Sequence, residues 1–219
     1  MIVYGSTISP FVRKVVAFAA EKGLSIEVRS GGMGRGGTDF EEASPFRKMP
    51  AFRDPGADDG RDFIISDSTA IVAYLEAKHP DPGLIPTEPR ARARAIWYEE
   101  FGDTIVMAAG GKMFFNRMVL PRFLKRPGDL ATAAAAERDE LPPIMDYLER
   151  VAPAPGGFLI EDRLTLADIA VASPFANFRY IDLDLTRWPR TCAYVDAVLA
   201  RPSFAGVVER DRELIAGLG

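Results

Sequence analysis

Three prolines fall within the seven residues from Pro80 to Pro86, and this break constrains the fold of the chain more than any other feature. Proline fixes φ and removes a backbone donor, so neither a helix interior nor a central strand passes through such a stretch. On its N-terminal side, short apolar runs alternate with turn residues and brief helical patterns. On its C-terminal side, the pattern is helical throughout. The chain is therefore expected to fold as an α/β unit over residues 1–78, a linker over 79–87 and an all-helical unit over 88–219. Its 219 residues suffice for two cores.

In the first unit, Met1 to Tyr4 is short, apolar and bounded by Gly5-Ser6-Thr7, which suits a buried strand entering a loop. Ser9 is a preferred N-cap and Pro10 suits a first helical position. Val12, Val15, Val16, Phe18 and Ala19 then supply an apolar face, and Gly23 ends the helix. Ile26 to Arg29 alternates as a second strand. A glycine-rich loop from Gly31 to Gly37 leads to a short helix cut off by Pro45. Pro50–Arg53 and Asp62–Ile65 read as a hairpin around the turn residues Asp54 to Gly60, and Asp67 as the cap of a helix reaching about Ala77.

Beyond the break, one long helix is expected from Arg90 to about Met118 and another from Ala131 to Val151. Thr165-Leu166-Ala167-Asp168 is a capping box with Asp in place of Glu, and Leu164 and Ile169 stand at the staple positions.

Composition narrows the function classes. No apolar run approaches the ~18 residues of a membrane span, and the first residues lack the basic, apolar and small-residue pattern of a signal peptide. A single cysteine, Cys192, and a single histidine, His79, leave no internal disulfide and no His-rich metal site, which points to a cytoplasmic protein without a metal. A net charge of −4 with the signs interspersed offers no broad basic surface for phosphates. A small molecule is thus the expected partner, rather than a nucleic acid or a membrane.

Four motifs, in order, carry a family resemblance: Ser9-Pro10-Phe11-Val12, Lys48-Met49-Pro50-Ala51-Phe52, Asp67-Ser68-Thr69-Ala70-Ile71 with Tyr74-Leu75, and Leu164-Thr165-Leu166-Ala167-Asp168. Together they resemble the serine-type, bacterial-like members of the cytosolic glutathione S-transferase superfamily, over nearly the whole chain. The resemblance implies a thioredoxin-like N-terminal domain, a helical-bundle C-terminal domain, a homodimer, and glutathione as cosubstrate with no metal. It implies that Ser9 activates the glutathione thiol and that Phe11, Lys48, Met49, Pro50, Asp67 and Ser68 hold the tripeptide. Met49-Pro50 would be the cis-proline turn that pairs with the cysteinyl part, Lys48 would meet the glycyl carboxylate, and Asp67 and Ser68 the γ-glutamyl end. Arg35 and Arg47 are substitutes for Lys48. Ile8, Met113 and Phe114 are the expected lining of a pocket for an apolar electrophile.

The chemistry asked of such a site can be quantified. A thiol of pKa ~8.5 is only ~3% thiolate at pH 7; at pKa ~6.5 it is ~75%, a gain needing ~2.7 kcal/mol of preferential anion stabilisation. A hydroxyl at a helix N-terminus can contribute a donor beside free N–H groups and the positive end of the helix dipole. Ser9 has that place, and it also satisfies the simpler role of N-cap. Tyr4 is a rival activator at the end of the first strand, with Ser6 and Thr7 in the same loop.

The expected activity is transfer of glutathione thiolate to a small hydrophobic electrophile, a detoxification chemistry. The alternatives are a glutathione-dependent lyase or isomerase of the ether-cleaving type and a non-catalytic protein with the same fold. Gly32-Met33-Gly34-Arg35-Gly36-Gly37 satisfies G-x-G-x-x-G, but the helical stretch before Pro45 is too short for a dinucleotide-binding crossover. The loop is expected instead to form a lip of the glutathione site.

Overall fold

The computed structural model describes residues 1–32 and 34–218, which form two compact units, Met1–Ile85 and Pro86–Gly219. The first is an α/β unit with the element order β1 (Ile2–Tyr4), α1 (Pro10–Glu21), β2 (Glu27–Arg29), α2 (Gly37–Ala43), β3 (Ala51–Asp58), β4 (Arg61–Ser66) and α3 (Ser68–Lys78). Its sheet has the order β2-β1-β3-β4, with β1 and β2 parallel and the other pairs antiparallel. This is the thioredoxin-like arrangement.

Pro10 opens α1 at its first position, and Val12, Val15 and Phe18 are fully buried along it. Tyr4, Phe40, Ala43, Ala51 and Ile2 form a core cluster against the sheet. The hairpin departs from the sequence expectation. Asp54 to Asp58 is strand rather than turn, because the pairing with β4 resumes at Asp58↔Arg61 after a register shift beyond Asp54. Such an irregularity lets the strand accommodate Pro55 and Gly56, leaving only Asp59 and Gly60 for the reversal.

The chain leaving α3 is tied down by side chains far away in sequence. Lys22, whose side chain is buried, donates to Glu76 Oε2 and to the Pro82 carbonyl, both at 2.7 Å. Glu76 Oε1 accepts the N–H groups of Leu84 and Ile85 at 3.1 and 3.0 Å. A buried ammonium needs this degree of pairing to be tolerated.

The second unit is helical: α4 (Pro89–Glu100), α5 (Met107–Phe114), α6 (Leu130–Ala135), α7 (Leu141–Val151), α8 (Leu166–Tyr180), α9 (Pro189–Leu199) and α10 (Pro202–Ala216). The single long helix expected from Arg90 instead alternates α with π turns, at Phe101–Val106 and Phe115–Phe123, and Ala136–Glu140 is a third π segment. Among the described residues no helix is long and apolar enough to cross a membrane.

Helix α8 is buried along almost its whole length, and its start is fixed by Asp168. That carboxylate, fully buried, accepts from Leu159 N–H and Thr165 N–H at 2.9 Å, Thr165 Oγ1 at 3.2 Å and Tyr194 Oη at 2.8 Å. Burial pushes its pKa above the ordinary carboxylate value, and these donors offset only part of that rise.

Candidate functional site

Strand register brings the first three motifs together. Tyr4 pairs with Ala51, and Ala51 with Ser66. The end of β1, the start of β3 and the end of β4 therefore lie side by side, and the segments leaving them, Gly5–Ser9, Met49–Pro50 and Asp67–Ser68, share one edge of the sheet. Tyr4 also pairs with Arg29, and the Gly5 N–H donates to the Arg29 carbonyl at 2.8 Å, so the loop after β2 joins the same edge. This is the carboxyl end of the parallel strand pair, where α/β sheets commonly bind ligands.

Ser9 occupies the N-cap position of α1, with φ −69° and ψ 125°, yet its side chain makes no capping hydrogen bond. Its backbone is held from both sides. The Ser9 N–H donates to the Ser6 carbonyl at 2.9 Å, and its C=O accepts from the Arg13 N–H at 3.0 Å. The preceding carbonyl, of Ile8, accepts from the buried Arg13 guanidinium at 3.3 Å. The hydroxyl is thus presented on a fixed backbone at the positive end of α1, whose first turn contains no acidic residue.

Tyr4 is differently engaged. It is 1% exposed, its ring lies 6.5 Å from that of Phe40, and its Oη accepts from Arg53 Nε at 3.1 Å. Arg53 in turn pairs with Asp62 and Glu42. Ser6 and Thr7 are half-buried in the loop between Tyr4 and Ser9.

The Met49–Pro50 peptide is cis. Among the described residues, no partner meets the backbone N–H or C=O of Met49. Lys48 is exposed and its ammonium has no ion-pair partner among the described residues, whereas Arg47 is engaged with Glu41 at 3.0 Å. Arg35 is also exposed, in the glycine-rich loop.

Asp67 caps α3 through one oxygen only. Its Oδ1 accepts the Thr69 and Ala70 N–H groups at 2.9 and 3.1 Å, and Oδ2 has no partner among the described residues. The residue is exposed and holds φ +89°, a backbone value that aspartate rarely adopts. Ser68 follows at the first helical position, 4% exposed.

Two glycines of the loop, Gly32 and Gly36, serve close packing. A Cβ on Gly32, at φ +82°, would stand 2.5 Å from Met49 Cε, and one on Gly36, at φ +104°, would stand 2.9 Å from the Ser30 carbonyl. Met33, the second residue of the G-x-G-x-x-G match, lies outside the described residues.

Phe11 is half-buried on α1 and Ile8 is buried just before it. Of the residues expected to line the electrophile pocket on α5, Met113 is fully buried and Phe114 is 6% exposed, its ring 6.5 Å from that of Tyr180. Among the described residues, no cluster of three or more metal-ligating side chains occurs.

Residues 3–83 match the family model described as the glutathione S-transferase N-terminal domain, and residues 119–210 match the corresponding C-terminal domain. A solved glutathione S-transferase of Methylobacterium radiotolerans, in complex with glutathione sulfonate, is 30% identical over 94% of this chain and 93% of its own, with a TM-score of 0.74. The chain belongs to the glutathione S-transferase superfamily.

Other members of the superfamily resemble it across much of their length. A glutathione S-transferase of Hyoscyamus muticus is 28% identical over 95% of this chain and 98% of its own. A probable maleylacetoacetate isomerase of Caenorhabditis elegans is 27% identical over 75% and 72%. Sequence reasoning singled out most residues at the site edge but missed Ser44, fully buried, whose hydroxyl bonds the backbone of Lys48. Its only signal was a serine four residues before a lysine, which does not distinguish it from any turn serine.

Proposed function

We propose that this superfamily member binds glutathione along the edge formed by Ser9, Lys48, Met49, Asp67 and Ser68, and transfers its thiolate to a small apolar electrophile. The observation that carries the reading is the conjunction, on one sheet edge, of a serine hydroxyl left out of helix capping and a Met49 backbone N–H and C=O with no partner among the described residues. In this reading the cysteinyl backbone pairs with Met49. The γ-glutamyl ammonium meets Asp67 Oδ2, its carboxylate meets the start of α3 at Ser68, and the glycyl carboxylate meets Lys48. Ser9 donates to the sulfur, and Phe11 packs beside the tripeptide. The protein's contribution is to ionise the thiol and hold it in place. Assembly as a homodimer in the cytoplasm belongs to the same reading.

Relatives named as maleylacetoacetate isomerases favour a second chemistry on the same site. There the thiolate adds to an activated double bond, rotation follows, and the thiolate leaves, regenerating glutathione. A turnover screen separates the two. Aryl halides, epoxides, ethers and isothiocyanates report net consumption of glutathione, and a cis-configured unsaturated diketo acid reports isomerisation without consumption. Turnover in neither arm, together with no glutathione binding by calorimetry, would overturn the reading.

A further inference from the structure

We infer that Ser44 is a positioning residue for glutathione: its buried hydroxyl orients the Lys48–Met49 peptide so that the Met49 N–H is offered to the ligand. The inference rests on the glutathione reading above. Ser44 follows α2 and is anchored by its own N–H to the Phe40 carbonyl at 2.8 Å. The chain then reverses through Arg47 at φ +54°, whose N–H donates to the Ser44 carbonyl at 2.8 Å. Across this turn the Ser44 hydroxyl makes two bonds to one residue, donating to the Lys48 carbonyl at 2.7 Å and accepting from the Lys48 N–H at 3.0 Å.

Those two bonds fix both peptide planes that flank the Lys48 Cα. The Lys48–Met49 peptide is trans, since the cis bonds of the described residues are Met49–Pro50 and Asp81–Pro82. In a trans peptide, C=O and N–H point in opposite directions. With the Lys48 carbonyl turned to Ser44, the Met49 N–H points away from it, and no group among the described residues takes it up. A fully buried hydroxyl that both donates to and accepts from one loop residue rigidifies that loop. The Lys48 side chain remains exposed on the same turn. Among the described residues the hydrogen bonds of Ser44 run to Phe40, Arg47 and Lys48 and none reaches the Ser9 loop, so its loss should weaken binding without altering ionisation of the thiol.

The test is isothermal titration of the full-length protein with glutathione and with S-methylglutathione, alongside the pKa of the bound thiol and the amide resonance of Met49. Ser44→Ala is expected to raise the Kd of both ligands about tenfold, while the bound thiol pKa moves by less than about half a unit. The downfield shift of the Met49 amide proton on saturation should shrink in the variant. A serine that merely supports the fold would lower Tm and leave both the Kd and the Met49 signal unchanged. If Ser44→Ala does not fold, Ser44→Cys is read in the same way, because its thiol fills the site but hydrogen-bonds weakly. Failure of the wild type to bind glutathione would remove the underlying reading. Tight wild-type binding with a Kd within about twofold in the folded variant would overturn the role of Ser44 alone.

Discussion

The Asp67 N–H donates to the Pro50 carbonyl at 3.2 Å, tying the cap of α3 to the cis-proline just before β3. The segments expected to meet the cysteinyl and γ-glutamyl parts of glutathione are thereby held at one spacing. Because Asp67 caps α3 through Oδ1 alone, capping and ligand binding can be separated by substitution. Asn is as good an N-cap and tolerates positive φ, so Asp67→Asn should keep stability within ~0.5 kcal/mol. It removes the charge offered to the γ-glutamyl ammonium, and the glutathione KM should rise about tenfold, or ~1.4 kcal/mol. Asp67→Ala should add a loss of ~1 kcal/mol in stability. An unchanged KM in Asp67→Asn would make the residue a plain cap.

Acid should weaken the first unit through Asp54. Burial opposes ionisation of its carboxyl, but hydrogen bonds from Lys78 and from Tyr74 at 2.8 Å outweigh it and hold the pKa below the ordinary value. A depressed carboxylate pKa gives stability that is complete above the unfolded pKa of ~3.9 and lost as pH falls through the folded value. Lys78 is partly exposed, so the contribution is only about 1 kcal/mol. Urea titrations should show Asp54→Asn less stable than wild type at neutral pH, with the difference vanishing as pH falls below about 4. A gap that persists at the lowest pH would assign the effect to packing.

Asp168 should carry a larger energy. Asp168→Ala leaves the Leu159 and Thr165 amides and the Tyr194 hydroxyl without their acceptor in a fully buried site. Stranded buried donors cost ~1–3 kcal/mol each, so a loss of at least ~3 kcal/mol is expected in denaturant unfolding. A loss under about 1 kcal/mol would mean that water reaches these groups.

Local chemistry made part of this architecture legible. Ser9-Pro10 marks the start of α1, and Thr165 with Asp168 marks that of α8, because caps and first-turn prolines act within a few residues. The strand Asp54–Asp58 was not legible, since Asp, Pro and Gly are turn formers unless a register shift across the hairpin accommodates them. The clamp of Lys22 on Glu76 and the bond from Arg53 to Tyr4 Oη depend on partners tens of residues away. Ser44 was hidden for another reason. Its function depends on which way one peptide plane faces, and no residue pattern encodes that.

The central claim is that the Ser9 hydroxyl, left out of capping α1, stabilises the glutathione thiolate. Thiolate absorbance against pH, with the protein saturated in glutathione, tests it most directly in wild type, Ser9→Ala and Tyr4→Phe, each first shown to be folded. Loss of the Ser9 donor should raise the bound thiol pKa by roughly one to two units, or ~1.4–2.7 kcal/mol. The rate at pH 7 should fall at least several-fold, with glutathione affinity much less affected. Tyr4→Phe should leave the titration in place, because its Oη is engaged with Arg53. A titration that moves only in Tyr4→Phe, or in neither variant, would contradict the account.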